Sequence, residues 1–353
     1  MRSLKKKELL DIDDILSLSW SWRPSMLMLQ AHNAGIFDAI AGGPKSADEI
    51  AAILNFDPRS TLLVLLGLSG VGLLEKSGQT FNNIEVIEKH FIKSSDDYKG
   101  NIFELDHRAL ANWMRIPEIV ESGEPIPKPE RTPDETKAWH EIFIKAMDDI
   151  AHRFSKRMFE ALPLKDGMEI LDIGCGPATY MIEFCKRMKN LSSVCFDKPQ
   201  SEHIVNDFAH KAGVGERIKF IGGDLTKSQF SFGSLFDGIL ISQVLHIFGE
   251  EEAKSLLKKA EMVLAPGGFI AIHEMTLGPD KDPGPAAVFA IQMMLGTKQG
   301  SVYSKDTIKG WFKDLGMSWE KAIRIDQRSE VMIGRKSASP NQAKTTKPNP
   351  YTF

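Results

Sequence analysis

Cysteine is scarce in this sequence, with three residues in a chain of 353, at Cys175, Cys185 and Cys195. An odd and sparse set fits a reducing compartment better than a disulfide framework, so we expect a cytoplasmic protein. Hydrophobic residues make up 42% of the chain and charged residues 26%, which excludes a disordered chain, a collagen-like fibre and a coiled-coil rod. The length predicts about two domains, or one large domain with an appendage, since domains average roughly 150 residues.

An excess of one charge and a long apolar run are also missing. Lys and Arg number 44 against 47 Asp and Glu, so the net charge of -3 gives no global basic excess for a nucleic-acid backbone. The longest nearly apolar run, Leu62–Leu74, is too short to span a bilayer. The start, Met1–Asp14, places acidic residues after a basic cluster, which is not a signal-peptide pattern. We therefore expect neither a nucleic-acid nor a membrane partner.

Helix-start signals followed by a hairpin pattern characterise residues 1–100. Ser46 precedes Glu49 by three residues, which is a capping box, and Asp57 with Pro58 is a second start signal. Leu73–Ile92 reads as two short strands around a Ser-Gly turn. Helices followed by a hairpin predict a winged-helix domain.

A winged helix suggests DNA binding, but the composition of its third helix favours another role. Residues 58–72 carry one basic side chain, Arg59, and are otherwise mostly apolar or small. A helix that is apolar on nearly every side is expected to be buried, in packing or dimerisation, rather than laid against phosphates. The preceding segment Leu16–Ile40 is rich in apolar side chains, with Trp20 and Trp22, which so small a domain cannot cover. The sequence therefore predicts an obligate homodimer.

Beyond a helical connector at residues 101–164, short apolar runs alternate with helical stretches. The predicted strands are Glu169–Ile173, Ser193–Phe196, Ile218–Ile221, Phe236–Ser242, Phe269–His273, Ser318–Ile325 and Glu330–Arg335. This alternation predicts an α/β domain with a mostly parallel sheet over residues 165–336. Residues 337–353 have almost nothing to bury, and we expect a disordered tail.

A glycine-rich turn closes the first of these strands. Gly174 and Gly176 would let the backbone pass close to a ligand, but Thr179 stands where a dinucleotide site has its third glycine. Asp172, two residues before the first glycine, would repel a diphosphate. It suits instead a ligand with a positively charged amino-acid end.

Two further aspartates follow the next strands in order. Asp197 ends the second strand, where a carboxylate accepts hydrogen bonds from two ribose hydroxyls, and Asp224 ends the third, where it could accept from an exocyclic amine. Leu225 and Gln243 complete the predicted cofactor-binding residues. Because ligands of open α/β sheets bind at the carboxyl ends of the strands, three acids in this order favour a binding site over three helix caps.

These residues resemble a class I S-adenosylmethionine-dependent methyltransferase. Over about residues 16–336 the chain is similar to the dimeric small-molecule O-methyltransferases, which place a winged-helix dimerisation domain before the catalytic domain. The matching segments are Gly35–Ile40, Ser46–Leu54, Gly72–Glu75, Asp172–Gly176, Phe196–Pro199, Gly223-Asp224, Val244–His246 and Pro266–Gly268. The resemblance implies a Rossmann-like seven-stranded sheet, S-adenosylmethionine as cofactor, a small-molecule acceptor and a homodimer.

The resemblance also implies catalytic residues. His246, directly after the fourth strand, matches the general base of the family, and Glu274 matches one carboxylate that orients it. Val302 stands where the family has a second acid, and Ile247-Phe248 replaces the family's Asp-Trp. These departures leave cofactor binding unchanged but give His246 one orienting acid instead of two.

The acceptor pocket is expected between the connector and the loop after the fifth strand. Its candidates are large apolar side chains, which suit flat or apolar ligands and suit a helical core equally well: Trp113, Phe143, Met147, Phe289, Met293 and Met294. We predict no metal ligand. The predicted reaction is O-methylation of a small, largely apolar acceptor.

Other functions stay open at this stage. The same cofactor could serve transfer to nitrogen, carbon or sulfur, or a protein that binds it without transferring methyl. A winged-helix regulator that senses S-adenosylmethionine would need a basic DNA-binding face, which residues 58–72 do not supply.

Overall fold

The structure, a computed structural model, describes residues 10–226, 232–278, 283–284 and 286–338. The chain forms two compact units, Met1–Leu110 and Ala111–Phe353. The predicted limits of the connector, residues 101–164, stay predictions. From residue 339 onward the expected disordered tail lies outside the described residues.

Short helices and a small sheet make up the first unit. They are α1 Ile12–Trp20, α2 Trp22–Asn33, α3 Ile36–Ile40, β1 Lys45–Ser46, α4 Ala47–Leu54, α5 Pro58–Gly70, β2 Leu74–Ser77, β3 Thr80–Asn83, α6 Glu85–His90 and the start of α7 Asn101–Trp113. Both predicted helix starts are confirmed. The Ser46 hydroxyl accepts the Glu49 N–H at 3.3 Å, and the Asp57 carboxylate accepts the Ser60 N–H at 2.7 Å. Local polar caps thus set where α4 and α5 begin.

The sheet of the first unit is antiparallel in the order β1-β3-β2 and packs on a core that includes Phe37, Leu65 and Phe81. One expectation is wrong here, because the second strand of the hairpin ends at Asn83 and α6 follows. Ile84, Ile87 and Phe91 are three and four residues apart, so a helix places them together on the core, where a strand would separate them.

Apolar side chains on α1 and α5 face solvent in the single chain. On α5, Leu62, Leu63 and Leu66 are 40%, 56% and 40% exposed in the single chain, so the expected burial of this helix by packing is met only in part, and its burial by dimerisation stays a prediction. The reason is that one face alone, including Leu65, reaches the core of this unit. No residue of α1 is buried, and Trp20 is 62% exposed.

In the described part of the chain, no single helix is long and apolar enough to cross a membrane. Helices α4 and α5 reach the required length and composition only as a pair, and they are bent by 115° at the break between them.

The second unit alternates strands and helices. After the end of α7 it contains α8 Ile116–Ser122, α9 Pro133–His152, α10 Ser155–Ala161, β4 Glu169–Ile173, α11 Thr179–Arg187, β5 Ser192–Asp197, α12 Glu202–Lys211, β6 Ile218–Gly222, β7 Phe236–Ser242, α13 Glu250–Met262, β8 Leu264–Met275, α14 Ala287–Gly296, α15 Lys305–Asp314, β9 Ser318–Arg324 and β10 Ser329–Arg335.

These strands form one seven-stranded sheet in the order β6-β5-β4-β7-β8-β10-β9. Strand β10 is antiparallel to both of its neighbours, and the other pairs are parallel. The predicted α/β fold with a mostly parallel, Rossmann-like sheet is confirmed. The chain runs outward from β4 through β5 to β6 and then returns to β7, so the strand order reverses between β4 and β7. Ligands of such sheets bind at this reversal.

Apolar layers cover the sheet on both faces, as a parallel sheet requires. Side chains alternate along β4, so Ile170 packs into one layer while Leu171 and Ile173 pack into the other. Asp172 therefore lies on the same face of the sheet as Ile170. It is near the end of β4, and the other residues from 170 to 173 are apolar. The fold buries this carboxylate where the strand order reverses.

Candidate active site

The loops that follow β4 and β7 meet at the reversal of strand order. Gly174 has φ +72°, and a Cβ on it would lie 2.4 Å from Cγ2 of Val244, so only glycine allows the two loops to approach this closely. Gly176 has φ +53°, and no described atom lies within 4 Å of the place a Cβ would take. The first glycine serves packing, and the second leaves open space beside the backbone.

Asp172 is the most unusual ionisable group of this crevice. Its side chain is 1% exposed, and Oδ2 has no hydrogen-bond partner within the described residues. Burial, and next the charge of Asp197, raise the pKa of Asp172 to about 8. A buried carboxylate is costly unless it is paired, and a cationic group would satisfy it.

Asp197 is held by two backbone donors at the end of β5. The N–H of Gly176 donates to Oδ2 at 2.7 Å, and the N–H of Lys198 donates to Oδ1 at 2.6 Å. An ionised carboxylate has about four lone-pair positions, so two stay open for further donors. The carboxylate is thus oriented and still able to accept hydrogen bonds from a pair of hydroxyls.

The other predicted cofactor-binding residues follow β6 and β7. Asp224 is exposed, and its Oδ1 accepts the backbone N–H of Thr226 at 2.9 Å and its hydroxyl at 2.6 Å, while Leu225 is half-buried. Gln243 is half-buried with φ +56°, and its N–H donates to the His273 carbonyl at 2.8 Å. These residues fit a nucleoside with a cationic amino-acid end. Within the described residues one oxygen of the buried Asp172 has no partner, the Asp197 carboxylate is oriented by backbone donors, and Gly176 has open space beside it.

His246 and Glu274 form a buried pair at the same edge of the sheet. His246 lies in a 3-10 turn, Leu245–Ile247, and its Nδ1 is 2.7 Å from Oε2 of Glu274 at the end of β8. The other oxygen of Glu274 accepts the N–H groups of Val244 and Leu245 at 2.8 and 2.7 Å. A carboxylate only accepts, so Nδ1 carries the proton of the neutral ring and Nε2 is the basic nitrogen.

The predicted acceptor-pocket residues are brought to His246 in part. Phe289 packs edge-on against the His246 ring, with centroids 4.9 Å apart, and the indole N–H of Trp113 donates to Oε1 of Gln292 at 2.6 Å on the same helix, α14. Four candidates have no hydrogen bond or ring contact to His246 among the described residues: Phe143 and Met147 on α9, and Met293 and Met294 on α14.

A loop between α14 and α15 contacts the turn that carries His246, and no pattern in the sequence predicts this contact. The N–H of Ser301 donates to the His246 carbonyl at 2.9 Å, and the Tyr303 hydroxyl donates to the Phe248 carbonyl at 2.6 Å. A Cβ on Gly300 would lie 2.6 Å from that same His246 carbonyl. Val302, in place of the second family acid, is 3% exposed. Main-chain contacts here support the turn that carries His246.

His273 is a second residue that the sequence analysis passed over. It is buried in β8, with Nδ1 2.9 Å from the Ser242 hydroxyl and Nε2 3.2 Å from the Ser329 hydroxyl. Burial lowers its pKa to about 4, so the ring is neutral and links β7, β8 and β10 next to Glu274. A histidine in an otherwise apolar strand was the available signal.

A family model for the O-methyltransferase domain matches residues 130–318 of this chain. The chain belongs to that family. This O-methyltransferase is also 26% identical over 309 residues to a 3-hydroxy-5-methyl-1-naphthoate 3-O-methyltransferase of Streptomyces sahachiroi, covering 86% of the chain and 88% of the relative. It is 22% identical to the tetracenomycin polyketide synthesis 8-O-methyl transferase TcmO of Streptomyces glaucescens, covering 92% and 96%.

Solved structures agree with this assignment. An O-methyltransferase family protein from Burkholderia thailandensis superimposes with a TM-score of 0.83 at 25% identity, covering 94% of this chain and 99% of that one. The structure of PigF with SAH shares the fold with a TM-score of 0.82 at 19% identity, covering 93% and 100%. The protein is an S-adenosylmethionine-dependent O-methyltransferase, so the predicted cofactor and reaction class are confirmed.

Proposed function

We propose that this O-methyltransferase methylates a hydroxyl of a small, largely apolar acceptor, with His246 as general base. The observation that carries the proposal is the 2.7 Å contact between Nδ1 of His246 and Glu274, which leaves Nε2 as the basic nitrogen. The names of the Streptomyces relatives, a naphthoate and a tetracenomycin methyltransferase, support a flat polyketide-like acceptor.

The crevice residues divide the binding of the cofactor among them. Asp172 would pair with the ammonium of its amino-acid end, Asp197 would accept from the ribose hydroxyls, and Asp224 would accept from the exocyclic amine of the base, beside Leu225 and Gln243. When bound, S-adenosylmethionine supplies a methyl carbon activated by its sulfonium charge. The open space beside Gly176 leaves room for the ligand to lie against the loop.

The chain's own part in the chemistry is to align the acceptor and to remove its proton. A phenolic hydroxyl has a pKa of about 10, so at neutral pH a base nearby raises the reactive fraction. Nε2 of His246 takes this proton, while Glu274 fixes the tautomer and stabilises the imidazolium that forms. Phe289, edge-on to the ring, orients a flat acceptor beside it.

Replacing the base tests this mechanism directly. In His246→Ala we expect turnover to fall about 100-fold or more, because general base catalysis contributes at least that much. Affinity for S-adenosylhomocysteine, measured by calorimetry, should be unchanged. His210→Ala, at an exposed position near the end of α12, is the matched control and should keep the wild-type rate. An unchanged rate in His246→Ala removes the general-base role.

We further propose that the protein is a homodimer formed through its first unit and that it works in the cytoplasm. The apolar side chains exposed on α1 and α5 support the dimer, since a single chain leaves them in water. All three cysteines are buried free thiols, which supports a reducing compartment.

A further inference from the structure

We infer that Gln292 recognises a carbonyl-type oxygen on the acceptor, so that the preferred substrates are aromatic hydroxyls that also carry a ketone or carboxylate. This inference rests on the proposed function, because it concerns the acceptor that His246 deprotonates. Gln292 would determine specificity through its polar side chain, which the apolar candidates Phe289, Met293 and Met294 on the same helix cannot do.

The orientation of the Gln292 amide is fixed by its partner. The indole nitrogen of Trp113 lies 2.6 Å from Oε1, and an indole N–H is only a donor, so the amide must turn its oxygen toward Trp113. The amide nitrogen then points away with two N–H donors. In the part of the chain that the structure describes, Nε2 of this half-buried side chain has no hydrogen-bond partner.

The position of Gln292 on α14 relates these donors to the base. Gln292 follows Phe289 by three residues, so the two side chains are neighbours on one helical face. The Phe289 ring lies against the His246 ring, with a centroid distance of 4.9 Å. Three residues of helix rise about 4.5 Å, which is the separation of Gln292 from Phe289 along the helix axis. Two fused aromatic rings are about as wide as this distance, or wider. A flat molecule with its hydroxyl at His246 would therefore extend past Phe289 toward the amide.

The chemistry of this position selects among flat acceptors. An acceptor that displaces water from Gln292 without offering an oxygen leaves two N–H donors unpaired among apolar side chains, which weakens binding. An acceptor with a ketone or carboxylate oxygen there pairs a donor and gains one hydrogen bond. Trp113 is the positioning residue in this arrangement, since it holds the amide in the orientation that presents its nitrogen.

The test compares three hydroxyaryl probes: 1-naphthol, 5-hydroxy-1-tetralone and 5-hydroxy-1-naphthoate. In the wild type we expect kcat/KM for the ketone or the carboxylate probe to exceed that for 1-naphthol by about tenfold, the effect of one hydrogen bond. Which of the two is preferred identifies the oxygen. In Gln292→Met, of nearly equal volume, this preference should disappear. Trp113→Phe should reduce it as well, because the amide is then free to rotate.

Val288→Ala is the matched control, since Val288 lies on α14 but is 62% exposed, and it should keep the wild-type preference. Equal preferences in the wild type and Gln292→Met overturn the inference. If the wild type methylates no hydroxyl, the proposed function fails, and calorimetry of the same probes with the S-adenosylhomocysteine complex still decides the role of Gln292. Tighter binding of a carbonyl probe that is lost in Gln292→Met supports it, whereas equal or absent binding of all probes overturns it.

Discussion

Two carboxylates of the crevice differ sharply in their surroundings although they end neighbouring strands. Asp197 receives two backbone N–H groups, whereas one oxygen of Asp172 has no partner in the described residues and burial raises the pKa of Asp172 to about 8. At pH 7 Asp172 therefore holds a proton in the free protein. A cationic ligand group beside it would favour the ionised form, so ligand binding and proton release are coupled.

This coupling predicts that S-adenosylhomocysteine, whose amino-acid end is cationic, displaces about one proton when it binds at pH 7. Because the carboxylate must ionise, affinity should rise from pH 6 to about pH 8 and then level off. Calorimetry in two buffers with different ionisation enthalpies measures the released proton. Asp172→Asn should bind more weakly and release none, while Asp207→Asn, at an exposed position of α12, should behave as the wild type. Equal proton release from both variants would contradict the assignment.

Residues whose role depends on their immediate neighbours in the chain were predictable, and those that depend on distant partners were not. Ser46 and Asp57 each cap a helix by accepting a hydrogen bond from a residue three positions later in the chain. The pairing of His246 with Glu274 followed only from the family resemblance. The Trp113–Gln292 contact joins positions 179 residues apart, and no local pattern in the sequence contains that information.

At the scale of elements, two segments hold the turn that carries His246. Strand β8 contributes Glu274, which fixes the ring and two backbone N–H groups, and the loop before α15 contributes Ser301 and Tyr303. The loop supports the backbone of this turn, whereas Glu274 also contacts the His246 ring. In the proposed mechanism the loop would act on the position of the base without touching a reacting atom.

If the loop positions the base, Tyr303→Phe should lower kcat about fivefold, since one hydrogen bond to the Phe248 carbonyl is lost. Acceptor KM and affinity for S-adenosylhomocysteine should be unchanged, which a general loss of folding would not produce. Gly300→Ala should have a larger effect, because the added Cβ would lie 2.6 Å from the His246 carbonyl.

The control for these variants is Gly310→Ala in α15, where the structure places no described atom within 4 Å of the added Cβ. Alanine is the better helix former, so this variant should keep full activity. A Tyr303→Phe enzyme with wild-type kcat, or with an altered KM as its only change, would refute the positioning role.

Elements with a clear hydrophobic period or a short apolar run were predicted well, whereas α6 was assigned to the wrong class. All seven strands of the sheet were recognised, most of them as short apolar runs, although β8 spans Leu264–Met275 and so begins before the predicted Phe269–His273. Residues 84–92 were assigned to a strand because the hairpin pattern was extended past Asn83, although Ile84, Ile87 and Phe91 have helical spacing. The apolarity of α5 predicts burial in packing or in a dimer interface, and it does not say which of its side chains stay exposed in a single chain.

On the scale of the whole molecule, the exposed apolar faces of the first unit predict a dimer. We expect sedimentation equilibrium at micromolar concentration to give twice the chain mass of 39.4 kDa. Leu63→Lys on α5 should shift the protein toward the monomer without unfolding it, because this side chain is 56% exposed in a single chain. Met262→Lys, 66% exposed on α13, should stay dimeric. A monomeric wild-type protein would refute the dimer.

The placement of β10 between β8 and β9 has a consequence for biosynthesis. Strand β8 carries Glu274, yet its partner β10 begins at Ser329, so one edge of β8 stays unpaired while the ribosome adds the intervening residues. An open edge on a nascent chain invites pairing with other chains. The catalytic domain should therefore become protease-resistant only late in translation, and chaperone capture should be greatest just before β10 emerges.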